Sequence, residues 1–348
     1  MAEIKKTKTA DQRRLQMADI ARLSGVSVST VSRALAGSSL VNEETRLRVA
    51  ELARSLNYQV NLGAQNLRLQ KNRTVAVVVP YDAQSRQHIS DPFFLSIVGA
   101  IADALTELGF DMLLSRVDAD HLDAAAQAVD SGKAVGLLII GQWRHHDQLN
   151  ELAARKLPVV VWGGQMAQQL YCSVGGDNVL GGRLAAEHLL RSGCRKLAFL
   201  GDADLPEVML RRAGYWAALA AAGVTVQPAL ELAAPFEVGA ARLAMEAFFA
   251  SHLEIDGVVA CSDLLALQAI QVLRALGRAV PSDVQVIGYD DMPLAAYCDP
   301  PLTSVHQPVA AAGVQLVQAL MRLIDGEPVA PSTLPVHLVT RESAPALT

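Results

Sequence analysis

The sequence predicts two folds in one chain: an all-α helix-turn-helix headpiece, then an α/β domain of two doubly wound parallel-sheet subdomains. Three observations carry this. Residues 17–35 hold two short apolar helical stripes around Gly25. The charge is divided: residues 1–74 carry 13 Lys and Arg against 6 Asp and Glu, net +7, while the remainder carries 17 against 29, net −12. From residue 74 onward, short apolar runs alternate with helical segments, the βα pattern of open parallel sheets. At 348 residues, 51% of them apolar, the chain is long enough for several buried cores.

In the headpiece, Met17, Ile20, Ala21 and Leu23 recur at helical spacing. Gly25 follows where a helix end favours a residue tolerant of positive φ. Ser27 sits at an N-cap position for the next helix. There Val31, Ala34 and Leu35 can turn inward, leaving Val28, Ser29, Ser32 and Arg33 on or near the outer face. Small hydroxyls and one Arg on an exposed helix suit a DNA major groove, where Arg can fork onto guanine O6 and N7. Asn42 caps a third predicted helix whose first turn carries Glu43 and Glu44 and whose stripe is Val49, Leu52, Ala53 and Leu56. A basic head on an acidic body points to the head as the part that meets a polyanion. Residues 1–14 read as a flexible basic arm.

The second part follows in order. The run 74–80 is apolar throughout, as a parallel strand buried on both faces should be. Helices are expected over 92–109, 121–131, 147–156, 178–193, 208–222, 238–252 and 263–276. Strands are expected over 110–115, 135–140, 158–162, 196–200, 257–260 and 284–289. That is too much for one sheet of usual size, so two sheets are predicted, with ligands beyond their C-terminal strand ends. Residues at those ends include Asp91, Phe93, Phe94, Trp162, Asp177, Arg211, Ser262 and Asp290. Aromatic faces beside carboxylates and a guanidinium suit a sugar, whose C–H faces stack on rings and whose hydroxyls pair with the charged groups. Asp177 and Ser262 also read as helix caps, and Trp162 also reads as core.

Residues 15–69 resemble the head and hinge of LacI-family transcriptional regulators. The resemblance rests on Asp19-Ile20-Ala21, Gly25-Val26-Ser27, Thr30-Val31-Ser32-Arg33, Thr45-Arg46, Leu56-Asn57-Tyr58 and the spacing Asn61…Ala64…Leu67. It implies that Val28, Ser29 and Arg33 read bases, and that Thr30, Ser32 and Asn42 lie near phosphates. It implies a hinge helix over 61–68, containing Asn61 and Ala64, with Leu67 as a wedge that opens a minor-groove step at the dimer dyad. The later segments Val174-Gly175-Gly176-Asp177-Asn178, Arg211-Arg212-Ala213-Gly214-Tyr215, Val286-Ile287-Gly288-Tyr289-Asp290-Asp291 and Pro301-Leu302-Thr303-Ser304-Val305 resemble the same family's periplasmic-binding-protein-like effector domain. There Arg211 and Asp290 become the main polar ligands of the effector.

The organisation implied is an arm (1–14), headpiece (15–59), hinge (60–73) and effector domain (74–348). The effector domain divides into one subdomain of about 74–173 and 304–331 and another of about 174–303 and 332–348. Expected partners are a pseudo-palindromic double-stranded DNA operator, a mono- or disaccharide effector, and a second copy of the chain, since no heptad tail follows for a larger assembly. The function implied is repression of carbohydrate-utilisation genes with release by a sugar, against a corepressor-dependent regulator or a sugar-binding transport protein. Cytoplasmic placement is expected. Residues 1–14 have no apolar core, Cys172, Cys194, Cys261 and Cys298 have no metal-type spacing, and no apolar run spans a bilayer. No nucleotide loop or nucleophile elbow is present in the sequence, so no catalytic residue, metal or cofactor is expected.

Overall fold

The computed structural model describes residues 17–35, 38, 40–56, 72–82 and 87–346, and the chain divides between Asn72 and Arg73 into two units. In the first, α1 (Met17–Ser24), α2 (Val28–Leu35) and α3 (Glu43–Ser55) share one small core of Ile20, Ala21, Val31, Ala34, Val41 and Val49. Gly25 ends α1 at a φ of +70°. The Thr30 backbone N–H donates to Ser27 Oγ at 3.1 Å, and the Thr45 N–H donates to Asn42 Oδ1 at 2.8 Å, so both predicted caps form. The arm 1–14 and the hinge residues Asn61, Ala64 and Leu67 lie outside the described residues.

The second unit holds two six-stranded sheets. The first is built from β1 (Thr74–Val78), β2 (Asp111–Ser115), β3 (Gly136–Ile140), β4 (Val159–Trp162), β5 (Cys172–Gly176) and β11 (Ser332–Leu334), in the order β11-β5-β4-β3-β1-β2. The second is built from β6 (Leu197–Leu200), β7 (Glu231–Leu232), β8 (Gly257–Ala260), β9 (Gln285–Asp290), β10 (Thr303–His306) and β12 (His337–Val339), in the order β12-β10-β9-β8-β6-β7. Every pairing is parallel except β10 with β12. The central strands β3, β4, β6 and β8 are buried throughout, because helices cover both faces. Those helices are α4 (Pro92–Glu107), α5 (Gln127–Asp130), α6 (His146–Ala154), α7 (Asn178–Arg191), α8 (Pro206–Ala221), α9 (Val238–Ser251), α10 (Asp263–Ala275) and α11 (Val309–Ile324). Among the described residues no helix is long and apolar enough to cross a membrane.

Three features depart from the sequence expectation. The segment expected as a helix over 121–131 is a 3-10 helix over Ala119–Ala126 followed by the short α5, with His121 non-helical. Side chains outbid the helix there: Asp118 accepts the Asp120 N–H and Gln148 accepts the Leu122 N–H. The crossings between subdomains, expected near 173, 303 and 331, fall a few residues later. Strand β5 stays in the first sheet as far as Gly176, β10 stays in the second as far as His306, and β11 is in the first sheet. Strand hydrogen bonding, not the motif edges, sets those boundaries. Finally, β5, β7, β10 and β11 carry no apolar run. Gly175 in β5 is there because a Cβ would lie 2.1 Å from the Gly163 carbonyl oxygen of the neighbouring strand connection.

In both sheets the strand order reverses beside the first strand, at β1/β3 and at β6/β8. Chain leaving adjacent strands in opposite directions opens a crevice at that point. The two crevices supply much of the wall of one cleft between the lobes.

Candidate functional site

The headpiece presents α2 with Val28, Ser29 and Arg33 exposed and Thr30 and Ser32 half-buried beside them. Val31 and Ala34 anchor the opposite face. Ser27 Oγ is within 2.8 Å of both Ser29 Oγ and Thr30 Oγ1, so the start of the helix carries a fixed cluster of hydroxyls. Asn42 is exposed at the N-terminus of α3, where its side chain is engaged as the cap. Val28 is 41% exposed, an apolar side chain held at the front of the helix.

The cleft in the second unit encloses an empty volume of about 640 Å³, measured out to its open mouth. Seven of the eight predicted residues line it: Asp91, Phe93, Phe94, Trp162, Arg211, Ser262 and Asp290. Asp177 is the exception. Its carboxylate turns back to accept the Leu180 N–H at 2.9 Å and caps α7. The neighbouring Asn178 reaches the site instead, its Oδ1 accepting from Arg211 Nε at 2.8 Å. Ser262 serves twice, lining the cleft and accepting the Leu265 N–H as the cap of α10. Sequence reasoning missed Trp143, Glu207 and Phe236 in the lining. Glu207 lies one turn before Arg211 on α8, an i,i+4 signal that was legible; Trp143 follows the predicted strand 135–140 by three residues, a strand-end signal that was also legible; Phe236 had none.

Arg211 is fixed on three sides. Besides Asn178, it donates to the Cys261 carbonyl, and its guanidinium lies 3.7 Å from the centroid of the Tyr289 ring. Burial opposes its charge, but Tyr289, Asp290, Cys261 and Glu207 more than restore it. The helix bearing it is seated by glycine: a Cβ on Gly182 would lie 1.9 Å from the Arg211 carbonyl oxygen, and one on Gly214 would lie 1.9 Å from the Val179 carbonyl oxygen. Only bare backbone lets α7 and α8 cross this closely.

Asp290 ends β9 at a φ of +109°, a conformation costly for a residue with a side chain. Its Oδ1 accepts from Gln307 Nε2 at 2.7 Å. Burial raises its pKa well above the usual carboxylate range, against Arg211, with Asp263 and Asp91 adding to the rise. Burial likewise raises Glu207, which accepts the Gln142 N–H across the cleft at 3.2 Å. Behind them, Asp263 accepts Ser304 Oγ–H at 2.5 Å and the Met292 N–H at 2.7 Å, and burial holds it up to about 7. Both polar anchors are thus bonded to a residue at a lobe crossing: Arg211 to Asn178, just past β5, and Asp290 to Gln307, just past β10.

At the mouth, Arg144 of the first lobe pairs with Asp82 of the same lobe at 2.7 Å and with Asp202 of the second, with Asp204 at 4.0 Å. Arg144 adjoins Trp143, which lines the cleft at a φ of +50°.

A headpiece with an exposed helix at its front, followed by two α/β lobes around a polar and aromatic cleft, defines a DNA-binding regulator with a small-molecule site. The family model described as "Bacterial regulatory proteins, lacI family" matches residues 16–61, and that of a periplasmic binding protein-like domain matches residues 186–344. The chain is 35% identical to the HTH-type transcriptional regulator CelR of Thermobifida fusca over 344 residues, 95% of this chain and 99% of that one. It is 30% identical to the ribose operon repressor of Bacillus subtilis (strain 168), over 93% and 97% of the two chains. It therefore belongs to the LacI family, and it is a DNA-binding transcriptional regulator. Among solved structures it is similar to a CelR–cellobiose complex (33% identity, TM-score 0.70, 95% of this chain and 100% of that one). It is also similar to a lac repressor dimer bound to operator and an anti-inducer (26% identity, TM-score 0.85, 96% and 100%).

Proposed function

We propose that the protein is a dimeric repressor of carbohydrate-utilisation genes, acting in the cytoplasm and released from its operator by a sugar bound in the cleft. The observation that carries this is that Arg211 and Asp290 line one cleft with Phe93 and Trp162, whose ring centroids are 6.0 Å apart. A buried, oriented guanidinium and carboxylate beside aromatic faces bind hydroxyls and C–H faces together. The sugar complex of CelR and the ribose operon repressors support the same class of effector. Val28, Ser29 and Arg33 read the operator, Thr30, Ser32 and Asn42 engage its backbone, and Asn61, Ala64 and Leu67 belong to the hinge between headpiece and effector domain.

The mechanism is linkage. A ligand touching both lobes favours one relative setting of the two. Arg211 and Asp290 pass that preference to Asn178 and Gln307 at the crossings, and the lobe setting governs the spacing of paired hinges across the dimer. The test is an anisotropy titration of labelled operator with and without sugar. Release on adding sugar is expected, and Arg211→Ala should keep operator binding while losing that response. Tighter operator binding with sugar would refute induction, and an unchanged sugar response in Arg211→Ala would refute the site.

A further inference from the structure

The cleft does not end at the inner chamber. A second empty volume of about 680 Å³ adjoins it, lined by Gln87, His88, Ser90, Phe236, Glu237 and Leu264 together with Asp91 and Pro92. Gln87, Asp91 and Phe236 line both chambers. Asp91 is held at this junction by two bonds, accepting from Gln87 Nε2 and from the Phe93 N–H, each at 2.9 Å. Each of its oxygens retains accepting capacity for a ligand. The outer chamber, like the inner one, has one wall on the first lobe, at residues 87–92, and one on the second, at residues 236, 237 and 264.

The charge of the two chambers is one-sided. The inner chamber has three carboxylates, Asp91, Glu207 and Asp290, against the single guanidinium of Arg211. The outer chamber adds Glu237 and one imidazole, His88. Even with Glu207 and Asp290 carrying protons, Asp91 offsets Arg211, and Glu237 caps α9 by accepting the Gly239 and Ala240 N–H groups. Arg211 is also partly committed, since Asn178 and Cys261 take two of its five N–H donors. A phosphate, with about −1.5 to −2 charge, would meet no surplus of positive charge among the described residues that line the two chambers.

We infer that the effector is an uncharged sugar of two units, one in each chamber, with Asp91 at the junction between them. This rests on the sugar reading above and deepens it. Phe236 offers its ring to the junction as well, and Glu237, Ser90 and His88 offer hydrogen-bonding groups to the outer unit.

The test is calorimetric titration of the full chain with cellobiose, maltose, lactose and trehalose, with glucose and ribose, and with glucose 6-phosphate and trehalose 6-phosphate. One uncharged disaccharide is expected to bind at least tenfold more tightly than either monosaccharide, and the phosphorylated sugars are expected not to bind. Leu264→Trp, which fills the outer chamber, should weaken the disaccharide more than tenfold and leave monosaccharide binding within twofold. His88→Ala, a milder change on an exposed residue, should weaken the disaccharide alone and keeps the test valid if the tryptophan variant does not fold. A monosaccharide that binds as tightly as every disaccharide, or disaccharide binding untouched in both variants, overturns the two-unit inference while the sugar reading stands. A phosphorylated sugar that binds as tightly as its parent overturns the charge argument. Binding of no sugar at all overturns the sugar reading and this inference with it.

Discussion

Arg144→Ala should loosen the closed cleft without touching its lining. Arg144 reaches three aspartates, and the pairs with Asp202 and, at 4.0 Å, with the exposed Asp204 depend on closure. Asp82 is on its own lobe, so that pair persists when the lobes part, whereas Asp202 is on the other lobe and that pair is lost. Arg144 is 31% exposed and Asp202 21%, so water screens the pair, and it is worth about 1 kcal/mol, the upper end for exposed pairs. That is roughly fivefold in the ratio of closed to open forms. Where closure is needed to hold the ligand, apparent affinity falls by the loss in closed fraction, so at most about fivefold. Stopped-flow tryptophan fluorescence reads this directly, because Trp143 and Trp162 both line the cleft. The ligand off-rate should rise in Arg144→Ala and in Asp202→Asn, and much less in Asp82→Asn. Salt should narrow the difference from the unsubstituted protein. Equal effects from Asp82→Asn and Asp202→Asn, or tighter sugar binding after loss of Arg144, would refute a cross-cleft tie.

Gly214→Ala should destabilise the protein by about 1–3 kcal/mol and displace Arg211, because its Cβ would lie 1.9 Å from the Val179 carbonyl oxygen; urea unfolding and a sugar titration check both parts, and a wild-type titration would remove the argument for backbone contact. Leu67→Ala should weaken operator binding at least tenfold and leave sugar affinity within twofold, as anisotropy and calorimetry would report; loss of both would make the residue structural rather than a wedge. Asp263, held up to about 7 by burial against an ordinary 3.8, keeps its proton in the folded state after the unfolded chain has lost its own. Stability from this group therefore falls as pH rises from about 4 to about 7, by a few kcal/mol in all. Asp263→Asn should gain on the unsubstituted protein between pH 5 and pH 7.5 in urea unfolding; a difference independent of pH would overturn that reading.

The sequence alone determined the order of elements wherever local chemistry is sufficient. Ser27 and Asn42 cap the helices they were expected to cap, and Gly25 takes the positive φ assigned to it, because capping and backbone sterics act within four residues. The buried runs at β1, β3, β4, β6, β8 and β9 declared themselves because a strand covered on both faces must be apolar throughout. Composition also separated a basic head from an acidic body. Most of the cleft was legible because strand ends are known once strands are known.

What the tertiary structure decided was everything set by partners distant in the chain. The sequence could not say that Asp177 would cap α7 while Asn178 would hold Arg211, since the two are adjacent and only the approach of α8 separates their roles. It could not place β5, β10 and β11, whose polar and glycine residues become strands only by pairing with others. Nor could it bring Asp202 to Arg144, or Gln307 to Asp290. Those contacts, across intervals of 58 and 17 residues, exist because two sheets present their switch points to one cleft: Arg144 and Asp202 follow strands of different sheets, and Gln307 lies where the chain passes from one sheet to the other.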